Sequence, residues 1–415
     1  MTFKSFVVAA AIMSWTVEAM SADRYVGGDI SLLPEYEAAG AVYKNTDGTP
    51  IAELLPFFKD NGMNAMRVRL FVNPENYKGE DKDPNACQNL EYIIPLCKRI
   101  KESGFALLLD FHYSDTWADP AKQWTPEAWK NLDDEALCNE IYDYTKESLV
   151  TLKDAGVVPD FIQPGNEISF GMLWGPYGTS DDSLKKTFIN NDANWSRLGN
   201  LLNSAIKACK EECPDADVVI HTERVNDLSV QNNFYKRLAD LNVDYDIIGL
   251  SYYPYFHGNM NVLDQALSSL EINFPTKGIM IVETGYPYKW EVPGTTQSVD
   301  YPYSEEGQDE FAKALVHCLE SHPNVNGLFW WWLEYNAFDT DLSGWYNAPL
   351  FDSTTGKVCK AFETICSFAS SESGIGILET EVPASDLWYD LNGRKVENPK
   401  KGIYIRDGKK ILIQN

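Results

Sequence analysis

Eight short apolar segments alternate with longer amphipathic segments along most of the chain. The apolar segments, which predict β-strands, are residues 25–30, 65–71, 105–112, 160–163, 217–221, 246–252, 278–283 and 325–331. The segments between them have apolar residues every three or four positions, which indicates helices. Strands that alternate with helices form parallel sheets, and eight such units close into a barrel. The sequence therefore predicts an α/β fold, a (β/α)8 TIM barrel.

The two ends of the chain differ from this pattern. Residues 1–22 combine an early lysine, a short apolar run and small residues, which is typical of a secretory signal peptide. Residues 370–378 begin with SSESG, a composition typical of a linker. Residues 379–415 contain short β-like runs and an Asn-Gly turn signal. We expect a barrel over 23–369 and, after the linker, a short C-terminal β-rich appendage, which is either a small module packed on the barrel or a sorting tail.

The composition restricts the partners of the chain. A net charge of −26 over 415 residues repels nucleic acids and anionic membranes. No segment after the N-terminus has transmembrane length, so we expect no membrane insertion. The 12 Trp and 22 Tyr offer flat rings for stacking on sugars, although a barrel also needs many of them for packing. We expect a secreted monomer (periplasmic, cell-surface or extracellular) that acts on an uncharged polysaccharide.

The cysteines do not indicate a metal centre. The chain has 8 cysteines and no CxxC pair, so the sequence predicts no zinc site, no other bound metal and no cofactor. Most of the cysteines are interpreted as small buried apolar residues. An oxidising compartment would permit one or two disulfides.

Two glutamates follow apolar strands at positions more than a hundred residues apart. Residues 160–167 read DFIQPGNE and end at Glu167, and residues 278–286 read GIMIVETGY and contain Glu283. Catalytic groups of TIM barrels stand at the C-terminal ends of the strands. Most glycoside hydrolases use two facing carboxyl groups as their catalytic residues. The alternatives are a loop-capping role for Asn166-Glu167 and a structural salt bridge for Glu283.

Polar and aromatic residues at other strand ends predict the surroundings of this pair. Arg67 and Arg69 lie two apart on one strand and therefore share a face, either beside a carboxylate or in salt bridges inside the barrel. His112 ends the third strand, and residues 251–254 (SYYP) follow the sixth, where a tyrosine hydroxyl is placed to bond the nucleophile. Residues 329–332 read FWWW; one of these rings is placed to floor the reaction subsite, and at least one other packs.

Five segments of the chain resemble the glycoside hydrolase family 53 endo-β-1,4-galactanases. In order, they are residues 27–31 (GGDIS), 66–69 (MRVR), 110–120 (DFHYSDTWADP), 165–168 (GNEI) and 282–284 (VET). The segment 110–120 is the most specific, because strand-end glutamates recur across the wider clan of retaining barrel glycosidases. The resemblance covers about residues 25–368.

The resemblance implies an activity and residue roles. It implies endo-cleavage of β-1,4-galactan, the galactose side chains of pectin, with retention of configuration. By position, Glu167 is the acid/base and Glu283 the nucleophile. The clan's supporting positions fall on Arg67, His112, Asn166, Tyr253 and Trp331. For sugar contacts we select Asp29, Asp115, Trp117 and Trp174.

The sequence departs from its relatives at two places. Some bacterial relatives carry a calcium loop after the seventh strand, but residues 286–296 (YPYKWEVPGTT) lack the closely spaced acidic residues that such a loop needs, so we expect no calcium of that type. Relatives often have Trp-Glu-Pro where this chain has Trp-Trp-Leu, at 331–333. The alternative functions are a clan relative that cuts β-1,4-mannan or β-glucan and, in another class, a non-catalytic glycan-binding barrel.

Overall fold

The computed structural model divides the chain into two compact units, Met1–Ser370 and Ser371–Asn415. The first unit is described over residues 24–77, 83–289, 291–338, 340, 342 and 348–370, and the second as strand backbone at 388–389, 395–396, 402–406 and 409–413. The predicted signal peptide lies outside the described residues. The boundaries of the predicted linker and tail remain predictions.

Eight parallel strands form a closed barrel. They are β1 (Tyr25–Asp29), β2 (Ala65–Leu70), β3 (Ala106–Phe111), β4 (Phe161–Pro164), β5 (Asp217–Thr222), β6 (Ile247–Tyr252), β7 (Gly278–Thr284) and β8 (Val325–Trp330). Each strand pairs with its sequence neighbours, and β1 pairs with β8 to close the ring. The predicted TIM barrel is confirmed, and the eight predicted strands agree with the observed strands to within one residue at every end.

Eight helices follow the strands and cover the outside of the barrel. They are α1 (Leu54–Asp60), α2 (Leu90–Glu102), α3 (Asp134–Asp154), α4 (Asp192–Glu212), α5 (Leu228–Asp240), α6 (Met260–Asn273), α7 (Glu305–Glu320) and α8 (Ala361–Ser370). Five of them begin after a side chain that accepts a hydrogen bond from a free backbone N–H of the first turn. These N-caps are Asn89, Asp133, Asn191, Asp227 and Ser304.

The core has two layers, one on each face of the strands. Side chains that point inward fill the barrel below the site: Ala65, Leu108, Phe161, Val219, Ile247, Met280, Val282 and Phe329. Outward side chains pack against the helices in a much larger cluster. Strand β1 can close the ring because of Gly27, where a Cβ would stand only 1.7 Å from the carbonyl oxygen of Ala65. Only glycine permits two backbones to approach so closely.

Several small elements were not predicted from the sequence. A short helix, Leu33–Ala38, and a two-stranded hairpin, Tyr43–Lys44 with Pro50–Ile51, follow β1. Another short helix, Pro254–His257, follows β6 directly and carries residues of the cleft. By contrast, the second unit, where the sequence predicts short β-like runs, does have four short antiparallel strands that form a sheet. Among the described residues, no helix has the length and apolar character that a membrane crossing requires.

Candidate active site

A cleft of about 720 Å³ lies at the C-terminal ends of the barrel strands. Its lining includes Glu167 and Glu283, which the sequence placed on different strands. Aromatic rings supply much of the remaining wall: Trp117, Tyr253, Phe256, Trp331 and Trp332. Another groove, of about 770 Å³, lies between α3 and α4 on the outside of the barrel, away from these strand ends. The cleft is therefore the candidate active site.

An irregularity in β7 turns Glu283 toward the cleft. Met280 and Val282 both belong to the inner layer, so strict alternation would point residue 283 outward to the helices. The register between β6 and β7 shifts, however: Leu250 pairs with Ile281, and the next residue, Ser251, pairs with Glu283. Two residues of β7 thus oppose one of β6, which is the pattern of a β-bulge. The bulge returns Glu283 to the inner face.

Glu283 is a buried carboxylate held by a cation and a phenol. Its Oε1 lies 3.0 Å from Nη2 of Arg67, and the Tyr253 hydroxyl donates to its Oε2 at 3.2 Å. Burial raises the pKa of Glu283 to about 7, while Arg67 acts in the opposite direction. The cation and the phenol favour the ionised carboxylate, the form that a nucleophile requires.

Arg67 is the centre of a buried polar network. Its guanidinium is fully buried and contacts Asp29 at 3.2 Å, Asp110 at 2.8 Å and the side-chain oxygen of Asn166 at 2.9 Å. Burial alone would lower the pKa of Arg67, but Asp110, Glu283 and Asp29 together hold it above its usual value. Three carboxylates thus share one permanent cation, which fixes the position of Arg67 under the nucleophile candidate.

His112 lies beneath the cleft surface and holds neighbouring residues in place. Its Nε2 lies 3.0 Å from Oδ2 of Asp110, and its Nδ1 accepts the backbone N–H of Ala118 at 3.2 Å. The ring is buried and packs edge-on against Phe71. These contacts make His112 a positioning residue that joins β3 to the loop carrying Trp117.

Asn166 connects Arg67, on β2, to the loop that follows β3. Its oxygen accepts from Arg67, and its amide nitrogen donates to the carbonyl of Ala118 at 2.8 Å. Gln123 donates to its backbone carbonyl at 2.7 Å. The side chain still borders the cleft, and one amide hydrogen beyond the bond to Ala118 is left to bind a ligand.

Glu167 occupies a strained position with a very different environment from that of Glu283. Its φ is +48°, in the left-handed region, where non-glycine residues are uncommon and cluster at functional sites. The Ser251 hydroxyl donates to its Oε1 at 2.6 Å. Burial, followed by the charges of Glu283 and Glu223, raises the pKa of Glu167 well above its usual value. The described structure shows no ion pair between Glu167 and a Lys, Arg or His side chain, so this carboxyl retains its proton more readily than Glu283.

His221, which was not selected from the sequence, orients Ser251. Its Nε2 lies 2.8 Å from the Ser251 oxygen, and burial lowers the pKa of His221 well below its usual value, so the ring is neutral. Because Ser251 donates its only hydrogen to Glu167, its oxygen is an acceptor toward Nε2 of His221. Nδ1 lies 2.9 Å from the side-chain oxygen of Asn166 and 3.2 Å from the amide nitrogen of Gln163, so the ring links Ser251 to Asn166.

Glu223 is a third carboxylate at the cleft that the sequence analysis missed. It follows the end of β5, as Glu167 follows β4. Its Oε2 accepts from the Ser169 hydroxyl at 2.6 Å, whereas its Oε1 is buried and has no hydrogen-bond partner in the described structure. Burial raises the pKa of Glu223 to about 7. An unsatisfied oxygen at a cleft wall is suited to accept a hydrogen bond from a sugar hydroxyl.

The tryptophans of the cleft surround Arg69. Its guanidinium carbon lies 4.6 Å from the ring centre of Trp117, 4.9 Å from that of Trp331 and 5.4 Å from that of Trp332. Arg69 also lies 3.5 Å from Asp29, so it takes part in the internal salt bridges rather than contacting Glu283. Stacking on a planar cation fixes the rings that line the cleft. The preceding ring, Trp330, is a packing residue whose indole donates to the carbonyl of Ala348.

Three of the four residues selected for sugar contacts have structural contacts instead. Asp29 is buried against Arg67, and Trp174 is fully buried with its indole donating to the carbonyl of Phe170. Asp115 accepts hydrogen bonds from the backbone of Asn73 and Glu127, which joins two loops. Asp115 and Trp174 stand in the long loops after β3 and β4, where position along the chain does not reveal the direction of a side chain. Trp117 does line the cleft.

Comparison with known proteins gives the family. A model of glycosyl hydrolase family 53 matches residues 25–365. This chain belongs to glycosyl hydrolase family 53. A family member named probable arabinogalactan endo-β-1,4-galactanase A, from Aspergillus fumigatus, is 33% identical over 336 residues, which are 77% of this chain and 87% of the relative. The arabinogalactan endo-β-1,4-galactanase of Thermothelomyces thermophilus is 34% identical over 324 residues, 74% of this chain and 88% of the relative.

Solved structures of the family have the same barrel. The family 53 catalytic domain of Ignisphaera aggregans superposes with a TM-score of 0.70 at 30% identity, covering 83% of this chain and 95% of that one. A structure from a study of two fungal β-1,4-galactanases gives a TM-score of 0.69 at 30% identity, over 83% of this chain and 99% of that one. The resemblance stated from the sequence is therefore confirmed, and the family 53 barrel of this chain is complete from β1 to α8.

Proposed function

We propose that this family 53 enzyme is a secreted endo-β-1,4-galactanase that cleaves pectic galactan, or type I arabinogalactan, with retention of configuration. The observation that carries the proposal is the pairing of two carboxyls in one cleft with opposite surroundings: Glu283 beside a cation and Glu167 beside another carboxylate. The named activity of the relatives from Aspergillus fumigatus and Thermothelomyces thermophilus supports galactan as the substrate.

In the first step, the ionised Glu283 attacks the anomeric carbon of the galactosyl unit. The bond from that carbon to the bridging oxygen breaks, and the proton of Glu167 passes to the leaving oxygen. The products are a galactosyl ester of Glu283 and a free chain end. Arg67 and Tyr253 hold Glu283 ionised and oriented before the attack, and the raised pKa of Glu167 keeps its proton available.

In the second step, Glu167, now ionised, takes a proton from water as that water attacks the anomeric carbon. The ester bond to Glu283 breaks, the carboxylate is released beside Arg67, and Glu167 is protonated again. The Ser251 hydroxyl donates to Oε1 of Glu167 throughout and so stabilises its charged form in this half of the cycle. Asn166, which lines the cleft and uses one amide hydrogen on Ala118, is placed to bond a hydroxyl of the reacting sugar with the other.

The walls of the cleft fit a neutral, extended polysaccharide. Trp117, Trp331 and Trp332 provide apolar faces, which sugars use for stacking. The overall charge of −26 would repel the acidic pectin backbone, whereas a galactan side chain carries no charge. Cleavage within the chain rather than from its end is the activity named for the relatives and is proposed here on that basis.

Product analysis tests the proposal. Purified enzyme is incubated with linear β-1,4-galactan, β-1,4-mannan and carboxymethyl-cellulose, with Glu167→Gln in parallel. We expect galacto-oligosaccharides of mixed length from galactan alone, released about 10²–10⁴-fold more slowly by the variant. Proton NMR during the first minutes should show β-anomeric reducing ends, which reports retention. Mannan or glucan products would overturn the substrate, early α-anomers would overturn the mechanism, and inactivity on all three polymers would favour a glycan-binding barrel.

A further inference from the structure

A group of metal-binding side chains lies between α6 and α7, on the outside of the barrel. Asp264 and Glu271 are seven residues apart on α6 and therefore share a face. Cys318 is in the last turn of α7, and His322 follows four residues later in the connection to β8. This connection enters the N-terminal end of its strand, whereas Glu167 and Glu283 stand at C-terminal ends. The group is therefore separate from the active site.

The donor atoms of three of these residues converge. One carboxylate oxygen of Asp264, the thiol sulfur of Cys318 and a ring nitrogen of His322 all lie within 4.8 Å of one another. His322 Nε2 is 3.2 Å from Oδ1 of Asp264. Ligand atoms of a tetrahedral zinc ion, at about 2.0–2.3 Å from the metal, stand somewhat closer together than 4.8 Å. Small side-chain movements would thus complete a three-ligand site.

The second nitrogen of His322 has the partner that a metal-binding histidine usually has. Its Nδ1 lies 3.0 Å from Oε2 of Glu271, and Oε1 of Glu271 accepts the backbone N–H of Asn324 at 3.1 Å. A histidine that donates one N–H to a carboxylate presents the lone pair of its other nitrogen to a metal. Glu271 would therefore fix the tautomer and the direction of His322.

Cys318 supplies a buried thiol at the same point. It is 7% exposed, and His322 is 4% exposed. The thiol forms no disulfide, and its sulfur has no hydrogen-bond partner among the described residues. Burial, and then the charge of Asp264, raises the pKa of this thiol to about 12. A bound cation would reverse that effect and release the thiol proton, because the thiolate is the form that coordinates.

We propose that Asp264, Cys318 and His322 bind one divalent transition-metal ion of the zinc class, with water as a fourth ligand. A thiolate and an imidazole are poor ligands for calcium and magnesium, which prefer sets of oxygens, and good ligands for zinc. The ion would join α6 to the end of α7 and stabilise the barrel without entering the reaction. The alternative for the same geometry is a metal-free clamp, in which the two ring nitrogens of His322 contact Asp264 and Glu271 directly.

Zinc titration of the full-length enzyme separates these possibilities. After chelator treatment and dialysis, calorimetry should show one Zn²⁺ bound per chain with release of about one proton. Zinc should raise the thermal midpoint, while galactanase activity at 25 °C should change little. With Co²⁺ instead, the near-ultraviolet absorption band of a thiolate ligand should appear.

Matched variants show whether the ion binds at this site. Cys318→Ser should lose the cobalt band and at least tenfold in zinc affinity, and Asp264→Asn, at a partly exposed position, should weaken zinc binding with the fold intact. Cys366→Ser, at another buried cysteine on α8, should bind zinc as the wild type does. The proposal is overturned if the wild type binds no zinc at micromolar concentrations, or if Cys318→Ser binds it as tightly as Cys366→Ser does. Because the site is remote from the cleft, either result is independent of whether galactan is the substrate.

Discussion

The two cleft glutamates occupy environments that differ in almost every respect. Glu283 is almost fully buried, lies 3.0 Å from Arg67 and accepts from Tyr253. Glu167 is partly exposed, accepts from the Ser251 hydroxyl and has Glu223 as a charged neighbour. Both carboxyls have raised pKa values, because both are desolvated. The difference between them comes from the charge beside each one.

This difference supports the proposed roles of the two glutamates. A cation next to Glu283 favours loss of its proton, and a carboxylate next to Glu167 opposes loss of its proton. At a pH near 7 the pair therefore holds one proton, and that proton belongs on Glu167. Because the two carboxyl groups interact, the pair titrates as a unit. A substitution at or beside either glutamate therefore alters both limbs of the pH profile of activity to some degree.

The strongest test removes the charge of Glu283. Glu283→Gln keeps the shape of the side chain and its contact with the Tyr253 hydroxyl, but an amide cannot form the galactosyl ester. We expect kcat on galactan to fall by several orders of magnitude. The thermal midpoint should stay within a few degrees of the wild type, since Arg67 keeps its contacts with Asp29 and Asp110. A loss of only a few-fold would show that another group is the nucleophile.

The second test uses the leaving group to isolate the role of Glu167. Glu167→Gln should lower activity on galactan by about 10²–10⁴-fold, the usual contribution of a general acid and base. On an aryl β-1,4-galactobioside with an acidic phenol, the leaving oxygen needs little protonation. The variant should therefore release phenol in the first turnover nearly as fast as the wild type does. Equal losses on both substrates would contradict an acid role for Glu167.

The third test weakens the stabilisation of Glu283 without removing the carboxylate. Tyr253→Phe deletes one hydrogen bond to a charged group, worth about 1.5–3 kcal/mol, so kcat/KM should fall by roughly 10–100-fold. Because that bond favours the ionised form, its loss raises the pKa of Glu283 above about 7. The acidic limb of the pH profile should therefore move to higher pH. Phe256→Leu, which also alters the cleft wall, is the control and should leave that limb in place.

The fold and the pair of glutamates in the cleft were readable from the sequence because both depend on local pattern. Apolar runs of strand length, separated by amphipathic helices, define the barrel, and a carboxylate directly after such a run is brought to the C-terminal face. The direction of Glu283 was not readable in the same way. Alternation from Met280 and Val282 points residue 283 outward, and only the bulge opposite Ser251 turns it inward.

Contacts between distant loops were also beyond the sequence. Asp115 and Trp174 stand in the long loops where sugar contacts are expected. Asp115 is held by the backbone of Asn73 from another loop, and the backbone N–H of buried Trp174 donates to the carbonyl of Gln123 from the loop after β3. The proposed zinc ligands were also missed, because they come from separate elements of the chain. Cys318 and His322 are four residues apart, but Asp264 joins them from another helix, so a search for short cysteine motifs finds nothing. Glu223 was recognisable, because it follows β5 as Glu167 follows β4.

The smallest effect that we predict is at Glu223. Replacing it with Gln removes a negative charge beside Glu167, which lowers the pKa of Glu167, and the alkaline limb of the pH profile should move to lower pH by a fraction of a unit. The amide oxygen of Gln would accept from the Ser169 hydroxyl, which places the NH2 group where Oε1 stood; that group cannot accept from a sugar hydroxyl, so KM should rise a few-fold. Asp119→Asn, which removes a weaker influence on Glu167, should shift the limb less. If Glu223→Gln instead abolished activity on galactan and spared the activated galactobioside, Glu223 would be the acid. The comparison with Glu283 would then have to be made for Glu223 and not for Glu167.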